Sequence, residues 1–323
     1  MEKDARIYIA GHTGLVGSAL ERGLRAEGYT CIVTQPRAEL DLTRQDRVEA
    51  FFSAEQPEYV FLAAARVGGI RANAAYPAEF IHTNLAIQAN VIHAAYRHGV
   101  KRLLFFGSSC AYPKHAAQPM REEYLLTGPL EPTSESYAMA KLAGISMCAA
   151  YNRQYGACFI PAIPATVYGP RDNFDLEAGH VLPALLRRFD AAKRGLPGAE
   201  REAVTIWGTG AARREFLFVD DLVGACLRLM RLDEASLREL LQRPVPVINI
   251  GTGADIAIRD LAHLIGQIVG YTGQTVFDTS KPDGAPRKQL DTAKLDRLGW
   301  HPAISLETGL QKTYAWYQAV YRS

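Results

Sequence analysis

A glycine-rich turn near the N-terminus constrains the fold of this chain more than any other feature. Residues 6–10 run into an apolar segment, Gly11-His12-Thr13-Gly14-Leu15-Val16-Gly17 follows at once, and a helical pattern continues to Leu24. A strand, a glycine turn and a helix in this order form the unit in which backbone N–H groups and a helix N-terminus hold a pyrophosphate. The sequence therefore predicts a dinucleotide-binding unit. Its expected cofactor contacts are Gly11, Thr13, Gly14, Leu15, Val16 and Gly17.

The end of the second strand carries a signal for the type of cofactor. Residues 29–34 predict this strand, and Gln35-Pro36-Arg37 follows it. Sites for NAD place an acidic residue here on the ribose 2'-hydroxyl, whereas an arginine accommodates the extra phosphate of NADP. Arg37 therefore predicts NADP(H), and an exposed loop arginine is the alternative explanation. The other residues expected near the cofactor, because of their position or small size, are Asp41, Leu42, Ala63 and Ala64.

Further strands and helices continue the alternation typical of a doubly wound sheet. Residues 59–65 are almost continuously apolar, which indicates a strand buried on both faces. A helix is predicted over residues 77–98 and a fourth strand over 103–106. Residues 158–167 also favour a strand, but its two prolines cannot donate hydrogen bonds to a sheet, so we expect that stretch to be exposed or irregular.

A tyrosine and a lysine lie four residues apart in Tyr137-Ala138-Met139-Ala140-Lys141. In a helix, this spacing places both side chains on one face. A free phenol has a pKa of about 10, and an ammonium group one turn away favours the phenolate and lowers that pKa. Tyr137 is therefore predicted to transfer a proton at neutral pH, whereas an isolated pair of this kind is more often simply solvated.

The fourth predicted strand delivers a second group of polar residues, Gly107-Ser108-Ser109-Cys110, at its C-terminal end. Ligands of an open parallel sheet bind at this edge. The hydroxyl of Ser108 can hydrogen-bond the same substrate oxygen that Tyr137 protonates. The two segments are therefore predicted to form one catalytic site.

Composition limits the classes of protein to which the chain can belong. Its 323 residues are 48% apolar and 22% charged, which suits a globular protein of one large or two smaller domains. The longest apolar runs are far shorter than the roughly 20 residues that cross a bilayer, and no signal peptide is visible. A net charge of +2 and five scattered cysteines indicate neither a nucleic-acid surface nor a metal site. We therefore expect a cytoplasmic protein that binds neither membrane nor nucleic acid.

Motifs from most of the chain together resemble the extended short-chain dehydrogenase/reductase superfamily. They are the glycine turn, residues 107–113, Tyr137 with Lys141, Tyr168-Gly169-Pro170 and Arg214-Glu215-Phe216. Within this superfamily the chain is similar to the GDP-L-fucose synthase family. That similarity is carried by Val67-Gly68-Gly69-Ile70, residues 107–114, Asn173-Phe174-Asp175-Leu176, His180-Val181-Leu182-Pro183 and Lys281-Pro282-Asp283-Gly284.

The resemblance implies a reaction and residue roles. The family epimerises C3 and C5 of GDP-4-keto-6-deoxy-D-mannose and then reduces the C4 ketone with NADPH, which yields GDP-L-fucose. Cys110 and His180 are implied as the base and acid of epimerisation. Tyr137 is implied as proton donor to the C4 oxygen, Lys141 as its partner and ribose ligand, and Ser108 as hydrogen-bond donor to that oxygen. Pro164, Val167 and His180 are also implied at the cofactor, and Ser108, Arg188, Trp207, Arg214 and Lys281 at the substrate.

Two departures from the family pattern bear on specificity. Thr13 stands where relatives often carry an arginine that helps to bind the 2'-phosphate, so Arg37 is expected to act there alone. Pro164-Ala165-Thr166-Val167-Tyr168 replaces the more usual Pro-Thr-Asn-Leu-Tyr beside the nicotinamide and the sugar. The second departure leaves the exact hexose open.

These observations predict an α/β protein with a Rossmann-type doubly wound parallel sheet and a smaller C-terminal α/β substrate domain. Residues 1–168 are expected to form the dinucleotide-binding domain, to which about 214–250 return, and residues 169–323 the substrate domain. We expect a homodimer that epimerises and reduces a GDP-sugar. One alternative is a related enzyme acting on another GDP-4-keto-6-deoxy sugar, a heptose or a 3,6-dideoxy-hexose. The other is a cofactor-binding regulator without turnover.

Overall fold

Strands and helices alternate along most of the structure. The computed structural model describes residues 1–176, 179–199, 203–241, 245–281 and 283–321. In these ranges the strands are β1 (Ile7–Ala10), β2 (Ile32–Val33), β3 (Tyr59–Leu62), β4 (Arg102–Phe106), β5 (Phe159–Pro164), β6 (Thr166–Tyr168), β7 (Ala203–Trp207), β8 (Arg213–Arg214), β9 (Phe216–Phe218), β10 (Ile248–Ile250), β11 (Ile256–Ala257), β12 (Gln274–Asp278) and β13 (Arg287–Lys288). The helices are α1 (Leu15–Ala26), α2 (Gln45–Glu55), α3 (Ile70–Ala75), α4 (Pro77–Arg97), α5 (Glu135–Tyr155), α6 (Val181–Arg194), α7 (Val219–Arg231), α8 (Glu234–Leu241), α9 (Ile258–Val269), α10 (Ala293–Arg297) and α11 (Leu306–Tyr321).

A parallel sheet of six strands lies at the centre, in the order β10-β5-β4-β3-β1-β2. Helix α1 packs against α7, and α4 packs against α5 and α2. The predicted doubly wound α/β fold is confirmed. From β1 the chain first adds β2 on one side and then β3 on the other, so the order reverses at β1 and β3. The carboxyl ends of these two strands form the crevice in which such folds bind ligands.

The residues of the sheet explain why it forms. Strands β1 and β3 are buried along their whole length, as expected for apolar runs covered on both faces. The long helices α4 and α5 begin or end at residues that favour a helix boundary. Pro77 occupies the first turn of α4, where its missing N–H costs no hydrogen bond, and Gly156 follows α5 with a φ of 67°. None of the helices within the described ranges is both long enough and apolar enough to cross a membrane.

The prediction that residues 158–167 would be exposed or irregular is wrong, because β5 is a buried interior strand between β4 and β10. Backbone groups of alternate residues in a strand face opposite neighbours. The oxygen of Ala162 accepts from the N–H of Gly107 beyond β4, so Pro164 faces β4 and Pro161 faces β10. Ala162 pairs with the last residue of β4 and the first of β10. Pro164 therefore faces β4 beyond the last pair of the β4–β5 ladder, and Pro161 faces β10 before the first pair of the β5–β10 ladder. Neither proline removes a hydrogen bond from the sheet.

A second hydrophobic core lies apart from the one around the sheet. It contains Phe174, Phe189, Phe218 and Tyr314, and α6 and α9 pack together there. Strand β7 pairs with β12, and β9 pairs with β6. Strand β10 joins the central sheet and α7 packs on α1. The division into two domains is consistent with the two cores and stays a prediction.

Candidate active site

The glycine turn lies between β1 and α1, and its glycines have different structural roles. Gly11 has a φ of 87°, and a Cβ at this position would lie 2.8 Å from the backbone of Ala64. A Cβ on Gly17 would overlap the carbonyl oxygen of Gly11. At Gly14, by contrast, the nearest atom to a Cβ would be that same oxygen, at 3.6 Å. A side chain at Gly11 or Gly17 would therefore overlap backbone atoms, whereas the space beside Gly14 is open.

The open side of the turn coincides with the start of α1. Gly14 stands immediately before this helix and offers no side chain to cap it. The first N–H groups of a helix lack partners within the helix and carry partial positive charge. Thr13 is exposed, and Leu15 and Val16 are half-buried beside it. The opening and the uncapped N–H groups fit the pyrophosphate of a dinucleotide.

Two arginines lie near the end of β2, where the sequence indicated one. Asp41 accepts hydrogen bonds from the N–H and hydroxyl of Thr43, at 3.0 and 2.8 Å. These bonds lower the pKa of Asp41, and the charges of Arg37 and Arg44 lower it further. Arg44 was not singled out from the sequence, since it has no motif. Leu42 is buried nearby, and the contacts of both Asp41 and Leu42 with adenine stay predictions.

Lys141 is deeply buried at the carboxyl end of β4. Its side chain is only 4% exposed, and Nζ donates a hydrogen bond to the carbonyl oxygen of Phe106 at 2.8 Å. The same Nζ lies 4.9 Å from the ring centroid of Phe105 and 5.8 Å from that of Tyr137. Burial lowers the pKa of Lys141 to about 7. The ammonium group therefore loses its proton far more readily than an exposed lysine.

Tyr137 and Lys141 share one face of α5, but the predicted effect of the lysine on the phenol is wrong. Burial raises the pKa of Tyr137, the charge of Cys110 raises it further, and a hydrogen bond with Ser108 opposes both. Lys141 is itself desolvated and points to the Phe106 carbonyl, so it does not offset the burial of the phenol. Tyr137 consequently holds its proton at neutral pH, as a proton donor must.

Ser108 and Cys110 follow β4 in a short turn. The Ser108 hydroxyl accepts a hydrogen bond from the N–H of Cys110 at 3.2 Å and so begins the 3-10 helix Ser109–Ala111. The same side chain hydrogen-bonds Tyr137, and the charge of Cys110 acts on both Tyr137 and Arg214. The structure therefore brings together Ser108, Cys110, Tyr137, Lys141 and Arg214.

His180 stands immediately before α6, with an extended backbone. Solvent reaches its side chain, yet enough protein surrounds the imidazole for desolvation to lower its pKa. This combination is expected for a side chain on the wall of a cleft. Its approach to Cys110 stays a prediction.

The predicted substrate residues are spread over several segments around β7. Trp207 ends this strand and is 43% exposed. Arg188 donates a hydrogen bond to the carbonyl oxygen of Thr205 in the same strand, at 2.8 Å, and Nζ of Lys281 lies 5.8 Å from the Trp207 ring centroid. Pro282, in the motif that follows, lies outside the described residues. The guanidinium carbon of Arg71, which the sequence did not single out, is 4.1 Å from that centroid.

Arg214 is held in place by its neighbours. Its Nη1 donates to the carbonyl oxygens of Arg213 and Ala285, at 2.7 and 2.6 Å. Burial lowers the pKa of Arg214, and the charge of Cys110 opposes that shift. The guanidinium therefore lies close to the sulfur proposed for catalysis.

Glu215 was noted in the sequence only as part of a motif, and the structure gives it a definite role. Its side chain is 2% exposed and accepts backbone hydrogen bonds from Thr252, Gly253 and Leu290, at 2.6, 2.8 and 2.7 Å. A buried carboxylate needs such donors to replace the water that it loses. Glu215 thereby ties two distant loops to the strand that carries Arg214.

Comparison with known proteins was consistent with this geometry. A sequence model of the NAD dependent epimerase/dehydratase family matches residues 7–251. GDP-L-fucose synthase 1 of Arabidopsis thaliana is 55% identical over 316 residues, which cover 98% of this chain and 94% of that protein. GDP-L-fucose synthase of Escherichia coli strain K12 is 50% identical over 313 residues, 97% of this chain and 96% of that protein. The structure of MlghC, a GDP-mannoheptose C4 reductase from Campylobacter jejuni with NADP bound, superposes with a TM-score of 0.89 at 42% identity and covers 98% of this chain and 99% of that one.

Proposed function

The chain belongs to the NAD dependent epimerase/dehydratase family, and we propose that it converts GDP-4-keto-6-deoxy-D-mannose to GDP-L-fucose with NADP(H) as cofactor. The proposal rests on the sequence identity of this chain with GDP-L-fucose synthases of a plant and a bacterium, 55% and 50% over nearly the whole chain. The similarity to a GDP-sugar reductase with bound NADP supports the cofactor. The enzyme epimerises C3 and C5 of the sugar and reduces C4.

The chain offers a matching set of groups for the cofactor. NADPH, when bound, supplies the hydride that reduces the C4 ketone. The glycine turn and the N–H groups at the start of α1 bind the pyrophosphate, and Arg37 with Arg44 binds the 2'-phosphate. Lys141 holds the nicotinamide ribose. The residues that border the remaining cofactor surface are Asp41, Leu42, Ala63, Ala64, Pro164, Val167 and His180.

Tyr137 and Ser108 act on the C4 oxygen during reduction. As hydride reaches C4, negative charge develops on this oxygen, and the protonated phenol of Tyr137 donates its proton there. Ser108 donates a hydrogen bond to the same oxygen. Donors fixed in position before the reaction stabilise developing charge without having to reorganise.

Cys110 and His180 exchange protons with the sugar carbons during epimerisation. One removes the proton from a carbon beside the ketone, which leaves an enolate, and the other delivers a proton to the opposite face of that carbon. Tyr137 and Ser108 stabilise the enolate oxygen in the same way as in reduction. The number of protons on the enzyme and sugar together is unchanged.

We also propose a larger organisation for the enzyme, and its exposed surfaces support it. Arg188, Trp207, Arg214 and Lys281 hold the nucleotide sugar in a cleft between residues 1–168 and the C-terminal half. Helices α4 and α5 pair with a second copy in a homodimer, because their exposed faces carry large apolar side chains. These are Leu85, Tyr96, Met139 and Tyr155. The five free cysteines suit the reducing cytoplasm.

NADPH oxidation with GDP-4-keto-6-deoxy-D-mannose tests the reaction. We expect the wild-type chain to consume NADPH and form GDP-L-fucose, and Tyr137→Phe to lose most of this activity because the proton donor is gone. The matched control is Tyr321→Phe, at an exposed tyrosine far along the chain. A Tyr137→Phe variant that turns over at the wild-type rate would contradict the assignment.

The similarity to a GDP-mannoheptose reductase favours one alternative, a reductase of a GDP-heptose. Turnover in deuterium oxide separates the two functions. Epimerisation at both carbons introduces solvent deuterium at C3 and C5, whereas simple reduction introduces it at neither. Product with deuterium at both positions supports the proposed function, and unlabelled product supports the alternative.

A further inference from the structure

Two cations from different parts of the chain approach the ring of Trp207. The guanidinium carbon of Arg71 lies 4.1 Å from the ring centroid, and Nζ of Lys281 lies 5.8 Å from it. Arg71 belongs to α3, in the half of the chain that carries the glycine turn, whereas Trp207 ends β7 in the other half. An aromatic ring attracts cations to its face and holds a guanidinium flat against it.

The position of Arg71 is fixed by its own helix. Buried Asn73, half a turn later, donates hydrogen bonds from Nδ2 to the carbonyl oxygens of Gly68 and Gly69, at 2.8 and 3.0 Å. The N–H of Asn73 also bonds the oxygen of Gly69. These bonds anchor α3 to the loop that follows β3. Arg71 therefore extends toward Trp207 from an ordered helix.

The surroundings of Trp207 suit an anion. The loop that begins at Lys281 also contains Ala285, whose carbonyl oxygen accepts a hydrogen bond from Arg214. One loop therefore contacts both the Trp207 ring and a third cation. One carboxylate, that of Asp283, lies in this loop, and it accepts hydrogen bonds from the N–H and hydroxyl of Thr209 at 3.0 and 2.7 Å. A second carboxylate, that of Asp278, lies opposite Trp207 in the strand pairing, and its charge interacts with that of Lys281. Among these described residues, the three cations Arg71, Lys281 and Arg214 outnumber the two carboxylates.

We propose that Arg71 is a substrate-binding residue that contacts the diphosphate of the GDP-sugar from the cofactor side of the cleft. Stacking on Trp207 uses the flat face of the guanidinium, whereas a phosphate is bound by the N–H groups in its plane, so one side chain can do both. Arg71 and Lys281 then approach the diphosphate from the two halves of the chain. This inference rests on the proposed function, because it takes a GDP-sugar as the ligand.

Equilibrium binding of GDP and of guanosine to Arg71→Met tests the inference without any turnover. Methionine keeps an apolar stem against Trp207 and removes the charge. We expect the dissociation constant for GDP to rise about tenfold, the usual loss for one charge-assisted hydrogen bond, and that for guanosine to change less than twofold. The control is Arg97→Met, at an exposed arginine on α4 that pairs with Glu49, and its GDP affinity should equal that of the wild type.

The dependence on salt gives a second measurement. Wild-type affinity for GDP should fall with ionic strength more steeply than that of Arg71→Met, since added salt screens the charge that the variant lacks. Equal GDP affinity and equal salt dependence in wild type and Arg71→Met would overturn the inference while leaving the proposed function intact. A comparable loss for guanosine would overturn it too, because the contact would then be with the base. A wild-type chain that binds no GDP would contradict the proposed function itself.

Discussion

The proposed cofactor side and the proposed substrate side of this site differ in the kinds of groups that they offer to a ligand. On the cofactor side, the groups are mainly backbone N–H groups of one short turn, shaped by Gly11, Gly14 and Gly17. On the substrate side they are side chains from α3, α6, β7, β8 and the loop after β12, including Arg71 and Trp207. A backbone site depends on local geometry, whereas a side-chain site depends on how distant segments are held together.

Adding one methyl group to the glycine turn should disturb the cofactor side alone, and it has the largest expected effect. The Cβ of Gly17→Ala would overlap the Gly11 oxygen, so the turn must open or α1 must shift. We expect NADPH affinity to fall about a hundredfold, near the upper end of overpacking costs. Fluorescence titration of NADPH measures this, with circular dichroism to confirm folding. The control is Gly224→Ala, whose Cβ would lie 3.6 Å from Trp300 Nε1 in ordinary contact. Wild-type affinity in Gly17→Ala would contradict the assignment.

The corresponding test on the substrate side acts through a residue that does not touch the ligand. Glu215→Gln replaces one carboxylate oxygen by an amide NH2, which must then face a backbone N–H of Thr252, Gly253 or Leu290. One buried hydrogen bond is lost and Arg214 is less firmly placed. We expect KM for the nucleotide sugar to rise about tenfold, with the Kd of NADPH changed less than twofold.

The control for that variant is Glu234→Gln, in an exposed i,i+4 pair with Arg238. It should leave both constants unchanged, because an exposed ion pair contributes little. If Glu215→Gln weakened NADPH and substrate binding equally, Glu215 would be a general structural residue rather than one that positions Arg214.

The two sides also differ in how far the sequence predicts them. The glycine turn and the pair Tyr137 and Lys141 could be identified because their geometry depends on spacing within one element. Arg71 and Glu215 could not be. A lone arginine in a short helix and a glutamate in a strand motif have no local pattern, and their roles depend on Trp207 and on loops far along the chain.

Two errors had the same origin. The sequence shows that β5 contains prolines, but it does not show which neighbouring strand each proline faces. A proline is tolerated only where the hydrogen-bond ladder on the side that it faces is absent. Likewise, the spacing of Tyr137 and Lys141 is local, but the pKa of each depends on how deeply the fold buries it. Periodicity in the sequence predicts helices and strands, but it does not show how far the fold removes a side chain from water.

The proposed binding of the 2'-phosphate is the part of the cofactor side that depends on side chains. Arg37 and Arg44 both act on Asp41 near the end of β2. We expect Arg37→Ala to reduce the preference for NADPH over NADH about fivefold, as for the loss of one exposed charge contact, and the double variant with Arg44→Ala to reduce it further. The ratio of kcat/KM for the two cofactors measures this. An additional loss in the double variant would show that Arg37 does not act alone, and an unchanged ratio in both would contradict the assignment.

The smallest expected effect concerns Lys141, to which we assign a role on both sides. Its pKa falls from 10.5 to about 7 on folding, so between these values the unfolded chain binds more protons than the folded one. The free energy of unfolding should therefore rise with pH through this window, and below it the burial of the charged group costs stability in full. Lys141→Met should remove that slope and melt a few degrees higher than the wild type at pH 6, although it loses reductase activity. Melting temperatures at pH 6 and pH 9 measure the difference, with the exposed Lys312→Met as a control that keeps the wild-type slope. A wild-type slope in Lys141→Met would mean that another group causes the pH dependence.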